Sequence, residues 1–293
     1  MCMMLNRQKA VLLLLRQAGR EVSPVQLMKW SFLLANETPS HGGATFYAFV
    51  PYRYGPYSFT LDQEKDALVR DGLLEITTRD QLRLTPAGQQ AELKIAGDVP
   101  QDIRYITNTY GNQSAQALID LVYEKYPWYT INSQLPGQRR TTPTVVACAI
   151  YTMGYEGLTA DDFLNRMLEA GMRRIVDVRN NPVSRRYGFH KSTLSRLAAL
   201  LGLEYVHVPE LGIPSAERGQ LESFTQYQEL FRTYESGLPQ VIAQQRMVGE
   251  LLQEKPSVLV CMEADPRFCH RSVLAQALTR IVDLPVNHLG WPR

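Results

Sequence analysis

Carboxylates, guanidinium groups, thiols and a histidine gather in this 293-residue sequence just after apolar runs that read as β-strands. Glu156 lies in Gly154-Tyr155-Glu156-Gly157, after CAIYTM; Asp177 and Arg179 close RIVDVR and lead into Ser184, Arg185, Arg186, Tyr187 and Lys191. Glu263 follows SVLVCM and stands six residues before Cys269-His270-Arg271. Cleaving a glycosidic bond passes through a state with positive charge at the sugar carbon, which one carboxylate stabilises while a second group activates water or protonates the leaving group. Glu263, Glu156, Asp177 and His270 are the candidates for that work. If the sugar belongs to DNA, the base must leave the stack and be held by aromatic and cationic side chains. Tyr155, Arg179, Ser184, Arg185, Arg186, Tyr187, Lys191 and Arg271 are the candidates for substrate and phosphate binding. Asp177 has a second reading, as an ion-pair partner that orders its own loop.

Charge supports a local site and no global one. The chain carries a net +2, from 31 Lys+Arg against 29 Asp+Glu. Residues 173–196 hold seven bases (Arg173, Arg174, Arg179, Arg185, Arg186, Lys191, Arg196) and one acid, Asp177, a local charge of +6. Interleaved with Tyr187, Phe189 and His190, this is the pattern of a phosphate-holding, base-stacking segment.

Three readings of Cys269-His270-Arg271 stay open: anion anchoring by Arg271 with His270 as acid or base, a reactive thiolate at Cys269, and a buried cysteine beside a capping histidine. Cys261 and Arg267 also form C-x5-R after a strand, the spacing of cysteine phosphatases and rhodaneses, but the intervening MEADP holds two carboxylates and no glycine, and would repel an anion. Cys261, Cys269 and His270 lack the usual zinc-ligand spacing and a fourth partner, so neither a metal nor a cofactor is expected. The four cysteines (Cys2, Cys148, Cys261, Cys269) form no CxxC pair, which argues against a disulfide framework and fits a reducing cytoplasm.

Positioning these residues requires a particular architecture. From Cys148 onward, strands (CAIYTM, RIVDV, LEYVHVP, SVLVCME, PVNHL) alternate with helices (DDFLNRMLEAG, LSRLAALLG, residues 223–253, CHRSVLAQALTRI), which predicts a Rossmann-like α/β domain with a parallel sheet. In such sheets ligands bind beyond the carboxyl ends of the strands, where the polar residues cluster. Before residue 134 the order is helical: Asn6–Gln17, a Ser23-Pro24-capped helix to about Asn36, and a helix from Ser58 or Thr60 to Arg70, followed by a LLEIT/LRLT hairpin. That order is winged-helix-like. The third helix carries four acids (Asp62, Glu64, Asp66, Asp71) against two bases (Lys65, Arg70), unlike a helix that reads a DNA groove. The expected division is residues 1–133, a linker over 134–146, and 147–293.

Two resemblances add to this reading. GYEG, DVRNNPVSRRYGFHK, YVHVPELG and CMEADPRFCHR, in that order over residues 148–293, resemble the domain of unknown function 488. The resemblance implies a Rossmann-like domain with a shared polar pocket at Gly154, Glu156, Asp177, Arg179, Pro182, Ser184, Leu211, Gly212, Cys261, Glu263, Cys269, His270 and Arg271. LMKWSFLLANE and Tyr52-Arg53-Tyr54-Gly55-Pro56-Tyr57-Ser58 resemble the Panacea, or SocA-like, domain over residues 5–130, which implies a helical recognition module. The residues alone also read as half-buried aromatics around a Gly-Pro turn.

The functional expectation is an enzyme directed at nucleic acid, DNA rather than RNA, that hydrolyses the N-glycosidic bond of a modified or foreign base, with a protein partner for the N-terminal domain as a further expectation. The alternatives are a non-catalytic nucleotide or nucleic-acid sensor and a cysteine-dependent rhodanese- or phosphatase-like enzyme. No run approaches the ~20 apolar residues of a membrane span, so no membrane partner is expected.

Overall fold

The computed structural model describes residues 4–217, 219 and 223–290; Cys2 lies outside them. The chain divides into two compact units, Met1–Thr142 and Pro143–Arg293.

In the first unit, α1 (Asn6–Ala18), α2 (Pro24–Glu37), the hairpin β1 (Val50–Tyr52) and β2 (Gly55–Tyr57), α3 (Phe59–Arg70), the hairpin β3 (Leu74–Ile76) and β4 (Leu82–Leu84), α4 (Pro86–Gln90), α5 (Val99–Tyr110) and α6 (Ala115–Lys125) follow in order. Ser23 caps α2 by accepting the Gln26 N–H at 3.2 Å, with Pro24 in the first turn. Strand β4 gains a second neighbour, beside β3, through an antiparallel bridge between Leu82 and Val22. The core is built on Leu12, Leu14, Trp30, Phe32, Ile103 and Leu118. The Phe32 ring meets Phe49, Tyr126 and Tyr129 edge-on at 4.8–5.2 Å. On α3, Glu64 is consumed internally, paired with Arg7 at 2.5 Å and accepting from Tyr47 at 2.8 Å.

The aromatic hairpin wraps a buried lysine. Lys29 Nζ donates to the carbonyls of Tyr54 (2.6 Å) and Pro56 (3.0 Å). Gly55 sits at φ +92°, and a Cβ there would lie 2.7 Å from the Tyr123 ring, so the turn accepts only glycine. Tyr52 and Tyr57 are half-buried against Phe59, whereas Tyr54 is exposed. Part of the segment expected to link the domains is anchored to this unit, since the Gln134 N–H donates to Arg53 O at 2.9 Å and the Arg140 N–H to Thr130 Oγ1 at 2.8 Å.

The second unit alternates β5 (Ile150–Gly154), α7 (Ala160–Glu169), β6 (Arg174–Asp177), α8 (Lys191–Leu200), β7 (Glu204–His207), α9 (Phe224–Gly237), α10 (Ile242–Glu254), β8 (Ser257–Cys261), α11 (His270–Leu278) and β9 (Val286–His288). The strands form one parallel sheet in the order β7-β6-β8-β5-β9. Two chain directions follow: β5 to β6 to β7 runs toward one edge, and β8 to β9 returns toward the other, so crossovers of one hand place their helices on opposite faces. Ile150, Val176 and Leu259 pack with Val248, Leu252, Leu274 and Leu278 of α10 and α11. Strand alternation turns Met153, Ile175, Val258 and Val260 to the other face, which α7 and α8 cover. The central strands β6 and β8 are buried throughout, as their unbroken apolar runs require.

Candidate functional site

The carboxyl ends of β5, β6 and β8 lie side by side, with Gly154 paired to Cys261 and Asp177 to Val260. The loop after β8 crosses so close to β5 that a Cβ on Gly154 would stand 1.8 Å from Glu263 O. The β8 loop is pinned at several points. Met262 O accepts the N–H groups of Tyr155 (3.0 Å) and Glu156 (2.8 Å), and Glu156 Oε2 accepts the Ala264 N–H at 3.0 Å. Arg271, 1% exposed, donates Nη1 to Glu263 O, Nη2 to Ala264 O at 2.9 Å and Nε to Thr152 Oγ1 at 3.4 Å.

On the α7/α8 side, Asp177 and Arg179 form a closed buried network. Arg179 gives Nε (2.8 Å) and Nη2 (2.5 Å) to the Asp177 carboxylate and Nη1 to Tyr155 Oη (3.0 Å) and Phe189 O (2.9 Å). Tyr205 Oη donates to Asp177 Oδ2 at 2.5 Å. Burial and the Asp177 charge push the Tyr205 phenol well above its ordinary pKa. The Tyr155 and Phe189 rings stack at 4.2 Å, 14° apart, which buries Tyr155 in the fold.

This geometry corrects part of the phosphate-binding expectation. Arg179 and Arg271 are buried, with their donors directed to Asp177, Tyr155, Thr152 and backbone carbonyls, whereas Arg185, Arg186 and Lys191 are exposed. The +6 stretch is likewise not one surface: Arg174 is buried and pairs with Glu254 (2.6 Å) and Glu204 (2.9 Å) at the other end of the sheet. Arg186 donates to Leu158 O and lies 5.5 Å from the Phe189 ring, Lys191 Nζ meets His207 Nδ1 at 2.9 Å, and Ser184 Oγ accepts the Arg186 N–H at 3.1 Å. Tyr187 is half-buried in the same loop. Asp177, saturated by Arg179 and Tyr205, is built as a structural ion pair.

On the α9 side lies a different constellation. Cys261 Sγ donates to Glu263 Oε2 at 3.2 Å and lies 3.7 Å from His270 Nδ1; Cys269 Sγ is 4.0 Å from the same nitrogen. His270 Nε2 faces Val178 O at 3.2 Å, and because a carbonyl only accepts, Nε2 carries the proton and Nδ1 presents its lone pair to the thiols. Burial, then the neighbouring Cys261, raises the Glu263 carboxyl above its ordinary range; burial drives the Cys269 thiol well up, opposing a free thiolate. Among the described residues, Cys261, Cys269 and His270 are the group whose ligand atoms converge, all within 4.8 Å of one another.

Glu263 and His270 face a cavity of about 200 Å³ whose walls include Ile213, Tyr227, Phe231 and Phe268. Tyr227 and Phe268 rings meet at 5.2 Å, and Phe224 adds to the cluster at 5.6 Å. These aromatics were not singled out in the sequence, although Phe224, Tyr227, Phe231 and Tyr234 recur at helical spacing. None of α9 is fully buried; Tyr234 packs against the α10/α11 core and donates to Leu211 O at 2.7 Å.

The C-x5-R spacing does not become an anion cradle. Arg267 turns to Asp265 at 2.7 Å, the Ala264 N–H is taken by Glu156, and the Arg267 N–H is taken by Asp265 at 2.8 Å.

Residues 159–278 match the family model of the domain of unknown function DUF488. The match runs from the cap of α7 to the last residue of α11 and includes Asp177, Glu263, Cys269 and His270; Gly154 and Glu156 lie before it. No curated protein and no solved structure matches the chain. No helix among the described residues is long and apolar enough to cross a membrane.

Proposed function

We propose that the second unit is a hydrolase acting on a flipped nucleobase in DNA, and that the bond it cleaves is the N-glycosidic bond of a modified or foreign base. The observation that carries the reading is Glu263, half-buried and with a raised carboxyl pKa, lining a cavity together with Tyr227, Phe231 and Phe268. A planar base stacks on aromatic rings, and a carboxyl poised nearer neutrality is a better proton acceptor than a solvated glutamate. In the reaction the C–N bond breaks with its electron pair leaving on the base, and a water oxygen bonds to the sugar carbon. Glu263 takes the proton that water loses and passes it to the departing base. Glu156 holds the loop that carries Glu263, and His270 borders the same cavity. Arg185, Arg186 and Lys191 supply exposed positive charge for flanking phosphates. The N-terminal unit, with its likeness to Panacea-type modules, delivers the enzyme to its DNA or to a protein partner.

The test is incubation of the full chain with a panel of unmodified and modified duplexes, followed by mass spectrometry of released bases. Wild type should free one class of base, and Glu263→Gln should lose release with its melting temperature unchanged. No release across the panel while DNA binding persists would sink the reading.

A further inference from the structure

The spacing Cys261-x7-Cys269-His270 matches no common metal pattern, yet the fold brings its three ligand atoms together. Cys261 ends β8, whereas Cys269 has extended backbone (φ −132°, ψ 131°) and passes directly into α11 at His270. A tetrahedral ion with bonds of about 2.3 Å to sulfur and about 2.05 Å to nitrogen separates a sulfur and a nitrogen ligand by about 3.6 Å. The separations here are 3.7 Å for Cys261 Sγ and 4.0 Å for Cys269 Sγ from His270 Nδ1, with all three atoms inside 4.8 Å. Ligation requires an unprotonated ring nitrogen aimed at the ion and a second nitrogen held by a carbonyl. His270 meets both conditions, because its Nε2 proton is fixed on Val178 O at 3.2 Å.

The frame around the group is rigid. Arg271 clamps the carbonyls of Glu263 and Ala264, and Glu156 and Asp265 take N–H groups of the same loop. The start of α11 adds positive potential, which suits thiolates. Simple packing of two thiols against an imidazole needs neither this tautomer nor this clamp.

We infer that Cys261, Cys269 and His270 bind one zinc-class divalent ion, with its fourth position open to the cavity beside Glu263. Two thiolates and an imidazole select such an ion over magnesium or calcium, and three protein ligands with one open position are the arrangement of a zinc ion that holds water. Glu263 lines the same cavity as His270, with Oε2 3.2 Å from Cys261 Sγ. Binding releases the two thiol protons to solvent and changes no oxidation state. The site is independent of which bond in the substrate is cleaved.

The experiment uses the full chain, stripped with a chelator under reducing conditions and titrated with Co²⁺. The expected result is one cobalt per chain, a thiolate-to-cobalt charge-transfer band with the visible bands of a tetrahedral ion, and their loss when Zn²⁺ is added. Cys261→Ser and Cys269→Ser should each lose the charge-transfer band, and Cys148→Ser, whose thiol instead faces Gln253 O, should keep it. The wild-type titration stands by itself if a variant does not fold. Absence of the band in reduced wild type, or its survival in the Cys261→Ser/Cys269→Ser double variant, overturns the assignment.

Discussion

Replacing Asp177 by alanine should unfold the second unit far more readily than an ordinary polar-to-alanine change. The substitution strips the acceptor from Arg179 Nε and Nη2, from the Arg179 N–H (3.1 Å) and from Tyr205 Oη, while the guanidinium stays 4% exposed. Leaving one member of a buried ion pair without its partner costs about 3–5 kcal/mol. For a unit the size of Pro143–Arg293, at about 2–4 °C per kcal/mol, the melting temperature should fall by about 6–20 °C. Calorimetry of the full chain resolves this transition. Removing both charges, as Asp177→Leu/Arg179→Met, should recover more than half of the loss, because no buried charge then remains unpaired. A drop below about 1 kcal/mol for Asp177→Ala, near the worth of an exposed pair, or a double variant no better than the single one, would refute a structural role for the pair.

Other perturbations probe other parts. Gly154→Ala must displace the β8 loop, because its Cβ would stand 1.8 Å from Glu263 O; it should cost about 1–3 kcal/mol of stability by denaturant titration and lose base release with it. Burial lowers Lys29 to about 7, so between pH 7 and the ordinary lysine value the unfolded chain binds the extra proton and stability rises with pH. The stability linked to Lys29 is therefore greatest above the ordinary lysine value, is lost as pH falls across that window, and changes no further below about 7. Denaturation of the first unit should gain up to about 1.4 kcal/mol per pH unit across that window, and Lys29→Met should flatten the profile. Tyr227→Ala removes a cavity wall and should reduce base release about 10-fold or more, with little change in melting temperature because α9 buries no residue fully. Arg185→Ala/Arg186→Ala should weaken DNA binding and lower the slope of log affinity against log salt by about 2, read by fluorescence anisotropy.

The sheet and the gathering of polar residues at its carboxyl edge were legible because apolar runs punctuated by capped helices leave little choice of topology. Thr159 capping α7 through the Asp162 N–H at 3.1 Å is one such signal. The roles of individual cations were not legible. Arg179, Arg185 and Arg271 look alike along the chain, and only the fold shows that two of them are spent inside while Arg185 is exposed. The converging thiols escaped spacing rules because the turn from β8 into α11, not a sequence repeat, brings Cys261 to His270. The cavity's aromatic wall was visible as a periodic stripe in FTQYQELFRTY, but such a stripe normally faces a core. In the first unit, α5 and α6 follow the β3–β4 hairpin and supply Ile103 and Leu118 to the core, extending the three-helix-and-hairpin order read from the sequence.

The most direct measurement is the reaction run in ¹⁸O-enriched water with the released base and the residual DNA both weighed by mass spectrometry. Cleavage at the sugar predicts a free base carrying no ¹⁸O and an abasic position left in the strand, both lost in Glu263→Gln. A base that stays in the DNA with ¹⁸O incorporated into its ring, or equal base release by Glu263→Gln, would contradict the account.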